Sequence, residues 1–338
     1  MDIHILKGHK PQRERLGRLH SAGKIPQTLL FTGTSGIGKK TLARGFLAAQ
    51  FCKSADPPCN SCETCHSIRL RIHPDYLELQ PNEKGTIPIG SQDKKEPGTI
   101  RWLLERLSLK PMYGKYAVLI DGADRIPEEG QNALLKTIEE PTEGTCIILI
   151  TPSPGRILPT ILSRSFIMKF SPLNTEDLSS LLIEQGLDEA TASEISPISG
   201  GSMETALLLR DEDIRTNIQS LGREISSVCR GAGILLDDFS GVLKRIGTVN
   251  LLDILINIYR HNLLILLNRG DYPTNQNAIS DDIFIDDPIK IRHLIKILLT
   301  VKKGLTRNIN IRNALKGLLY SGYLEGDSAS LLRKQIPL

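Results

Sequence analysis

Aromatic side chains are scarce in this 338-residue chain: seven Phe, seven Tyr and one Trp make up 4% of it, against 40% apolar residues. A core built mostly from Leu, Ile and Ala follows, which favours helices and a parallel sheet over a β-sandwich. No long run of Lys or Arg occurs, and the formal net charge is only +4. Composition therefore permits contact with nucleic acid without arguing for it. No apolar stretch of the kind that marks an export signal follows Met1. The longest apolar run, residues 251–267, is broken by Asp253, Asn257, Arg260, His261 and Asn262, as in a buried helix rather than a membrane span. These absences lead to the expectation of a soluble, cytoplasmic protein, and the length to two or three domains.

What is present is organised around residues 31–42. An apolar run ending at Phe31 reads as a buried strand, a glycine-rich turn follows, and Leu42, Phe46 and Ala49 then recur at helical spacing. Gly33 and Gly38 stand at the spacing of a P-loop, with Gly36 between them and Lys39 directly after. Such a loop turns successive backbone N–H groups inward, and the helix N-terminus and the lysine add positive charge for a phosphate. The next position departs from the pattern. A Ser or Thr hydroxyl would ligate Mg²⁺ there, but the residue is Lys40, and Thr41 lies about 100° further round the helix. The loop is thus expected to be able to hold phosphate, as in ATP or ADP, but to lack a Mg²⁺ ligand and be poorly equipped for hydrolysis, the alternative being a turn that binds nothing.

Cys52, Cys59, Cys62 and Cys65 fall just after the expected P-loop helix, with two C-x-x-C gaps and Pro57-Pro58 and Asn60 among them. Four thiolates at such spacing suit structural tetrahedral Zn²⁺, which leaves the metal no open position. Disulfides are the weaker reading without an export signal. His66 and His73 read as ordinary polar residues, and Cys146 and Cys229 as buried free thiols.

Elsewhere the pattern alternates. Residues 3–24 read as a basic helix whose Arg13, Arg15, Arg18 and Lys24 form a solvated face. Residues 73–79 read as a strand, 80–98 as a mobile surface loop, and 99–107 as a helix capped by Thr99. Residues 116–121 form a buried strand ending in Asp121, placed to hold a metal through water, although Gly122 follows where a hydrolytic enzyme would carry Glu. A helix over 128–140 stops at Pro141. The strand over 145–151 ends in Thr151, where a γ-phosphate-sensing group would stand, and residues 166–170 form a last strand. Strand–helix alternation implies a doubly wound parallel sheet. Beyond it, Thr175 is expected to cap a helix ending at Gly186, Gly200-Gly201-Ser202 to start another, and residues 214–338 to be helical, including stretches over 250–270, from Asp287-Pro288, and over 308–320.

The P-loop, the four-cysteine insertion, the run Asn132-Ala133-Leu134-Leu135-Lys136-Thr137-Ile138-Glu139-Glu140-Pro141 and the triplet Ser163-Arg164-Ser165 together resemble the clamp-loader branch of the AAA+ ATPases, components of the bacterial DNA polymerase III holoenzyme. The resemblance covers most of the first 210 residues. It implies an AAA+ domain over 1–170 with a zinc module at 52–65, a helical lid over 171–212 and a helical collar over 213–338 that joins a five-subunit ring. Implied partners are gamma/tau and delta subunits, a sliding clamp and primer–template DNA. Arg164 is implied to be a finger that reaches a neighbour's γ-phosphate, a task suited to a guanidinium; the plainer alternative is a surface arginine. Lys40, Gly122 and Glu204, the last where hydrolytic members carry Arg, make the chain resemble the delta-prime type, without ATPase activity of its own, more than the hydrolysing gamma/tau type. A gamma/tau-like motor and a zinc-ribbon DNA-binding protein with a vestigial P-loop are the alternatives.

Overall fold

Five strands form one wholly parallel sheet in the order β2-β3-β4-β1-β5. They are β1 (Thr28–Thr32), β2 (Tyr76–Leu79), β3 (Ala117–Asp121), β4 (Cys146–Thr151) and β5 (Phe166–Lys169). The computed structural model describes residues 8–91, 96–230, 240–267 and 282–304. Every residue of β1 and β4 is buried, as expected where helices cover both faces of a parallel sheet. The pleat sends alternate residues to two cores. Leu29 and Phe31 pack with Leu42, Phe46 and Leu47 of α2 (Lys39–Ala49) and with Ile68 of α3 (Glu63–Arg69). Leu30, Val118 and Ile120 pack with Ile100, Leu103 and Leu107 of α4 (Ile100–Ser108) and with Leu134 and Ile138 of α5 (Glu128–Glu139). The α/β architecture expected from the strand–helix alternation is the one observed.

The first unit spans Met1–Leu173. Its basic leading helix, α1, runs Lys10–Ser21, shorter than expected; residues 1–7 lie outside the described residues. Thr99 caps α4 as expected, accepting from the Trp102 N–H at 3.3 Å. The stretch after β2 corrects the expectation of a mobile loop. Ile87 is fully buried, its N–H donates to Arg125 O, and the Ile100 and Arg101 N–H groups donate to Pro88 O and Ile89 O. The polar composition hid one apolar anchor whose burial seats the whole segment over 80–91. Residues 92–95 of that stretch are not described.

The second unit spans Asn174–Leu338. Its described elements are all helices: α7 (Thr175–Glu184), α8 (Glu189–Ile198), α9 (Met203–Leu209), α10 (Glu212–Cys229), α11 (Ser240–Ile246), α12 (Thr248–Leu267) and α13 (Pro288–Gly304), with the 308–320 stretch outside the described residues. Asn174, not Thr175, caps α7: its Oδ1 accepts from the Asp177 N–H at 2.6 Å. The cap is the residue just before the first helical φ/ψ, one position earlier than the hydroxyl suggested. Asp188 likewise caps α8, a helix that Pro197 in its last turn obscured in the sequence. Helix α12 is long and apolar enough to cross a membrane, but it packs within this unit against α13. Its Asn262 is fully buried, and its amide donates to Ile285 O and accepts from Ile285 N–H. Tyr259 donates to Gly222 O at 3.0 Å. Such inward polar pairing marks a core helix.

Candidate nucleotide loop, arginine and cysteine cluster

The loop after β1 has the backbone a P-loop needs. Gly33, Gly36 and Gly38 have φ of 146°, 76° and 94°, and Gly38 precedes the first turn of α2. At Gly33 the requirement is also steric, since a Cβ would lie 2.4 Å from the carbonyl oxygen of Phe170. Lys39 is buried, and its Nζ donates to Gly33 O at 2.8 Å and to Thr34 O. His9 Nε2 lies 2.6 Å from Ile37 O, buttressing the loop from the chain that leads into α1.

Lys40 points the other way. Its Nζ is 3.0 Å from Asp121 Oδ2, 3.3 Å from Glu78 Oε1 and 3.2 Å from Gln80 Oε1. The loop position that should bear a metal-ligating hydroxyl thus carries an ammonium paired with the strand-end carboxylate. Thr41 is exposed on the helix surface. An Mg²⁺ ion needs close oxygen ligands in octahedral array, and this donor set does not fit it.

Glu78 escaped the sequence reading. Its carboxylate is 4% exposed and takes a two-pronged bond from Arg44, with Nε at 3.0 Å and Nη2 at 2.6 Å, besides the Tyr76 hydroxyl at 2.5 Å. Arg71 approaches at 3.7 Å. Burial alone would push the Glu78 carboxyl up, but the hydrogen bonds of Arg44 and Tyr76 and the charges of Arg44 and Lys40 together hold it below the ordinary value. Burial, then Glu78 itself, pushes the Tyr76 phenol up. The available signal was a lone acid in an otherwise buried strand, Tyr76-Leu77-Glu78-Leu79.

Gly122 after Asp121 has φ 84°, and a Cβ there would lie 3.0 Å from Pro81 Cγ. Thr151 is fully buried; its hydroxyl donates to Asp124 Oδ1 at 2.8 Å and accepts from the Ser153 N–H at 2.9 Å. The structure therefore brings Lys40 and Asp121 together and engages Thr151 with Asp124.

Arg164 ends the short helix α6 (Pro159–Arg164) that leads into β5. It is 42% exposed, and its Nη2 lies 3.0 Å from Glu139 Oε1 on the last turn of α5. Nη1 donates to Thr160 O at 3.2 Å. Gln131, also missed in the sequence, is buried and sets the approach of α6. Its amide donates to Ile126 O and Arg156 O at 3.1 and 3.0 Å and accepts from the Leu158 N–H at 2.9 Å.

The sulfur atoms of Cys52, Cys59, Cys62 and Cys65 all lie within 4.8 Å of one another, and none of the six cysteines is in a disulfide. Backbone N–H groups of Cys59, Cys62 and Cys65 point at the sulfurs of Cys52, Cys59 and Cys62 at 3.5, 3.3 and 3.4 Å. Such donors favour thiolates. Hydrogen bonds from Ser61 and then Cys62 lower the Cys59 thiol to about 6, whereas burial raises Cys65 to about 12. The cluster has the ligand number and type to bind a metal. His73 takes no part in it: buried, it stacks between Phe51 and Tyr113 at 4.8 and 4.9 Å. Cys146 and Cys229 are buried and in no disulfide, as expected, and burial raises Cys146 to about 12.

Parallel strand order, glycine loop and strand-end aspartate define an α/β domain of the P-loop class. Residues 8–174 match the family model described as DNA polymerase III, delta subunit. A DNA polymerase III delta-prime subunit of Bacillus subtilis is 27% identical over 306 residues, covering 88% of this chain and 90% of the relative. One from Pseudomonas aeruginosa is 32% identical, covering 55% of this chain and 56% of the relative. A gamma subunit from Buchnera aphidicola is 34% identical, covering 56% and 52%. The chain thus spans about half the length of the latter two relatives. These matches support a delta-prime-like clamp-loader subunit of DNA polymerase III.

Proposed function

We propose that this chain is a non-hydrolysing stator of a bacterial clamp loader that lends Arg164 to the ATP site of a neighbouring subunit. The observation that carries the first half is the Lys40–Asp121 pair at 3.0 Å. A site that fills its metal position with an ammonium cannot clamp the β- and γ-phosphates through Mg²⁺ or neutralise charge in the usual way. Gly122 compounds the loss, because its positive φ and the nearby Pro81 would strain a water-activating Glu placed there. These same features weigh against the gamma/tau-like motor.

Arg164 supports the second half. A finger acting on a neighbour must be exposed, charged and aimed, and Arg164 is half exposed and held at one end by Glu139. Assembly with gamma/tau- and delta-type subunits, action on a sliding clamp at primer–template DNA, and cytoplasmic location belong to this reading. So does the division into an AAA+ domain over 1–170, a lid over 171–212 and a collar over 213–338. Cys52, Cys59, Cys62 and Cys65 would hold a structural Zn²⁺ that cross-links the segment after α2. Exposed Arg15 and Arg18 on α1 leave room for DNA contact within the ring.

The test is steady-state ATPase of the loader reconstituted with this chain. Arg164→Ala should depress turnover at the one adjoining site by on the order of 10³-fold while assembly, read by size-exclusion chromatography, is unchanged. Unaltered turnover of the complex would remove the finger, and brisk turnover by the isolated chain would remove the stator.

A further inference from the structure

The Lys40 side chain does more than delete a metal ligand. In this corner Lys40, Arg44 and Arg71 gather round the carboxylates of Glu78 and Asp121, beside the N-terminus of α2 and the buried Lys39 of the loop. Glu78 already has its oxygens engaged by Arg44 and Tyr76, and Asp121 is matched by Lys40. The Thr151 hydroxyl is engaged with Asp124. A divalent ion entering here would meet an ammonium rather than a set of open oxygen ligands, and like charges at such range repel strongly. A polyphosphate would meet the opposite: the N-terminus of α2, a buried Lys39 and the Lys40 ammonium already in place.

We propose that Lys40 is the resident cation of this P-loop, so that the loop takes a nucleoside di- or triphosphate without any divalent ion. The inference rests on the non-hydrolysing reading above and adds to it the counter-ion and the ligand class. Lys40 substitutes for the metal's charge but not for its chemistry: an ammonium neither bridges β- and γ-oxygens at metal–ligand distance nor orients a water. Binding and hydrolysis are thereby uncoupled, and a ligand on this loop serves as a fixed part of the subunit.

Isothermal titration of the full chain with ADP, and separately with inorganic pyrophosphate, tests this. With the native chain the Kd should be the same in EDTA as in Mg²⁺, within about twofold, or about 0.4 kcal/mol. Lys40→Thr restores the hydroxyl and unmasks Asp121, and its ADP binding should become at least about tenfold tighter in Mg²⁺ than in EDTA. Lys40→Arg keeps the charge and should stay indifferent to the metal, a comparison that stands even if the Thr variant folds poorly. Tightening of the native chain by Mg²⁺, absence of binding in both buffers, or a Thr variant as indifferent as the native chain would each overturn the proposal. None of these results bears on Arg164, whose role is read from turnover in the assembled complex.

Discussion

Arg164 and Glu139 lie 3.0 Å apart, joining the last turn of α6 to the last turn of α5. Both side chains are more than two-fifths exposed, so the pair adds little to stability. Its effect is on direction, because Glu139 holds Nη2 while Nη1 donates to Thr160 O. Glu139 is therefore expected to be a positioning residue. Glu139→Ala should lower kcat of the reconstituted loader by about tenfold with little change in KM, since misplacement of a catalytic group is felt in the transition state. Glu139→Asp should recover part of the loss and Glu139→Lys none. A purely structural role would instead shift thermal unfolding and leave the kinetic split untouched.

The buried Glu78 carboxylate should make the first unit sensitive to acid. Its pKa is depressed in the folded chain, so its contribution is complete above the ordinary Glu value and is lost as pH falls through the lower, folded value. Native Tm should therefore drop more steeply than that of Glu78→Gln as pH falls below about 4.3. At neutral pH the Gln variant should be less stable by about 3 kcal/mol, because Arg44 is left without its carboxylate. Equal acid slopes in the two proteins would refute the assignment.

The four-cysteine cluster should carry about one zinc per chain on elemental analysis. Stripping it with a strong chelator, or substituting Cys62→Ser, should lower the Tm of the first unit and open residues 52–69 to proteolysis while leaving the helices of the second unit intact. Structural zinc sites of this type contribute on the order of 10 kcal/mol to the segment they organise. Metal content well below stoichiometry in protein purified without chelator would speak against the site.

Restoring the missing hydrolytic parts should fail. At Gly122 the φ is 84° and Pro81 lies against the place a side chain would take, so Gly122→Glu should cost about 1–3 kcal/mol in urea unfolding. The double variant Lys40→Thr/Gly122→Glu should show no appreciable ATPase. Measurable turnover would mean that the loop geometry, rather than these two residues, retains the catalytic design.

The sheet was readable because its strands are nearly continuous apolar runs and its loop chemistry is local: Gly33, Gly38 and Lys39 lie within seven consecutive positions. The cysteine cluster was readable for the same reason. What escaped depends on partners far apart in the chain. Glu78 is explained by Arg44 and Gln131 by Arg156, and neither pairing leaves a periodic trace. Ile87 and Ile89 sit in a stretch otherwise rich in polar residues, Gly and Pro, too weak an apolar signal to mark an anchored segment. The α7 cap was misplaced by one residue because Asn174 and Thr175 are both good capping types, and only backbone geometry decides between them.

The close approach of Gly33 to the Phe170 carbonyl has a reach beyond the loop itself. Phe170 follows directly on the edge strand β5, whose first residue is only two positions from Arg164, and its N–H is bonded to Thr32 O at 2.7 Å. One short run of backbone thus connects the glycine loop to the neighbourhood of Arg164. Bulk introduced at residue 33 would act like a wedge under a lever, disturbing the aim of the guanidinium without touching it.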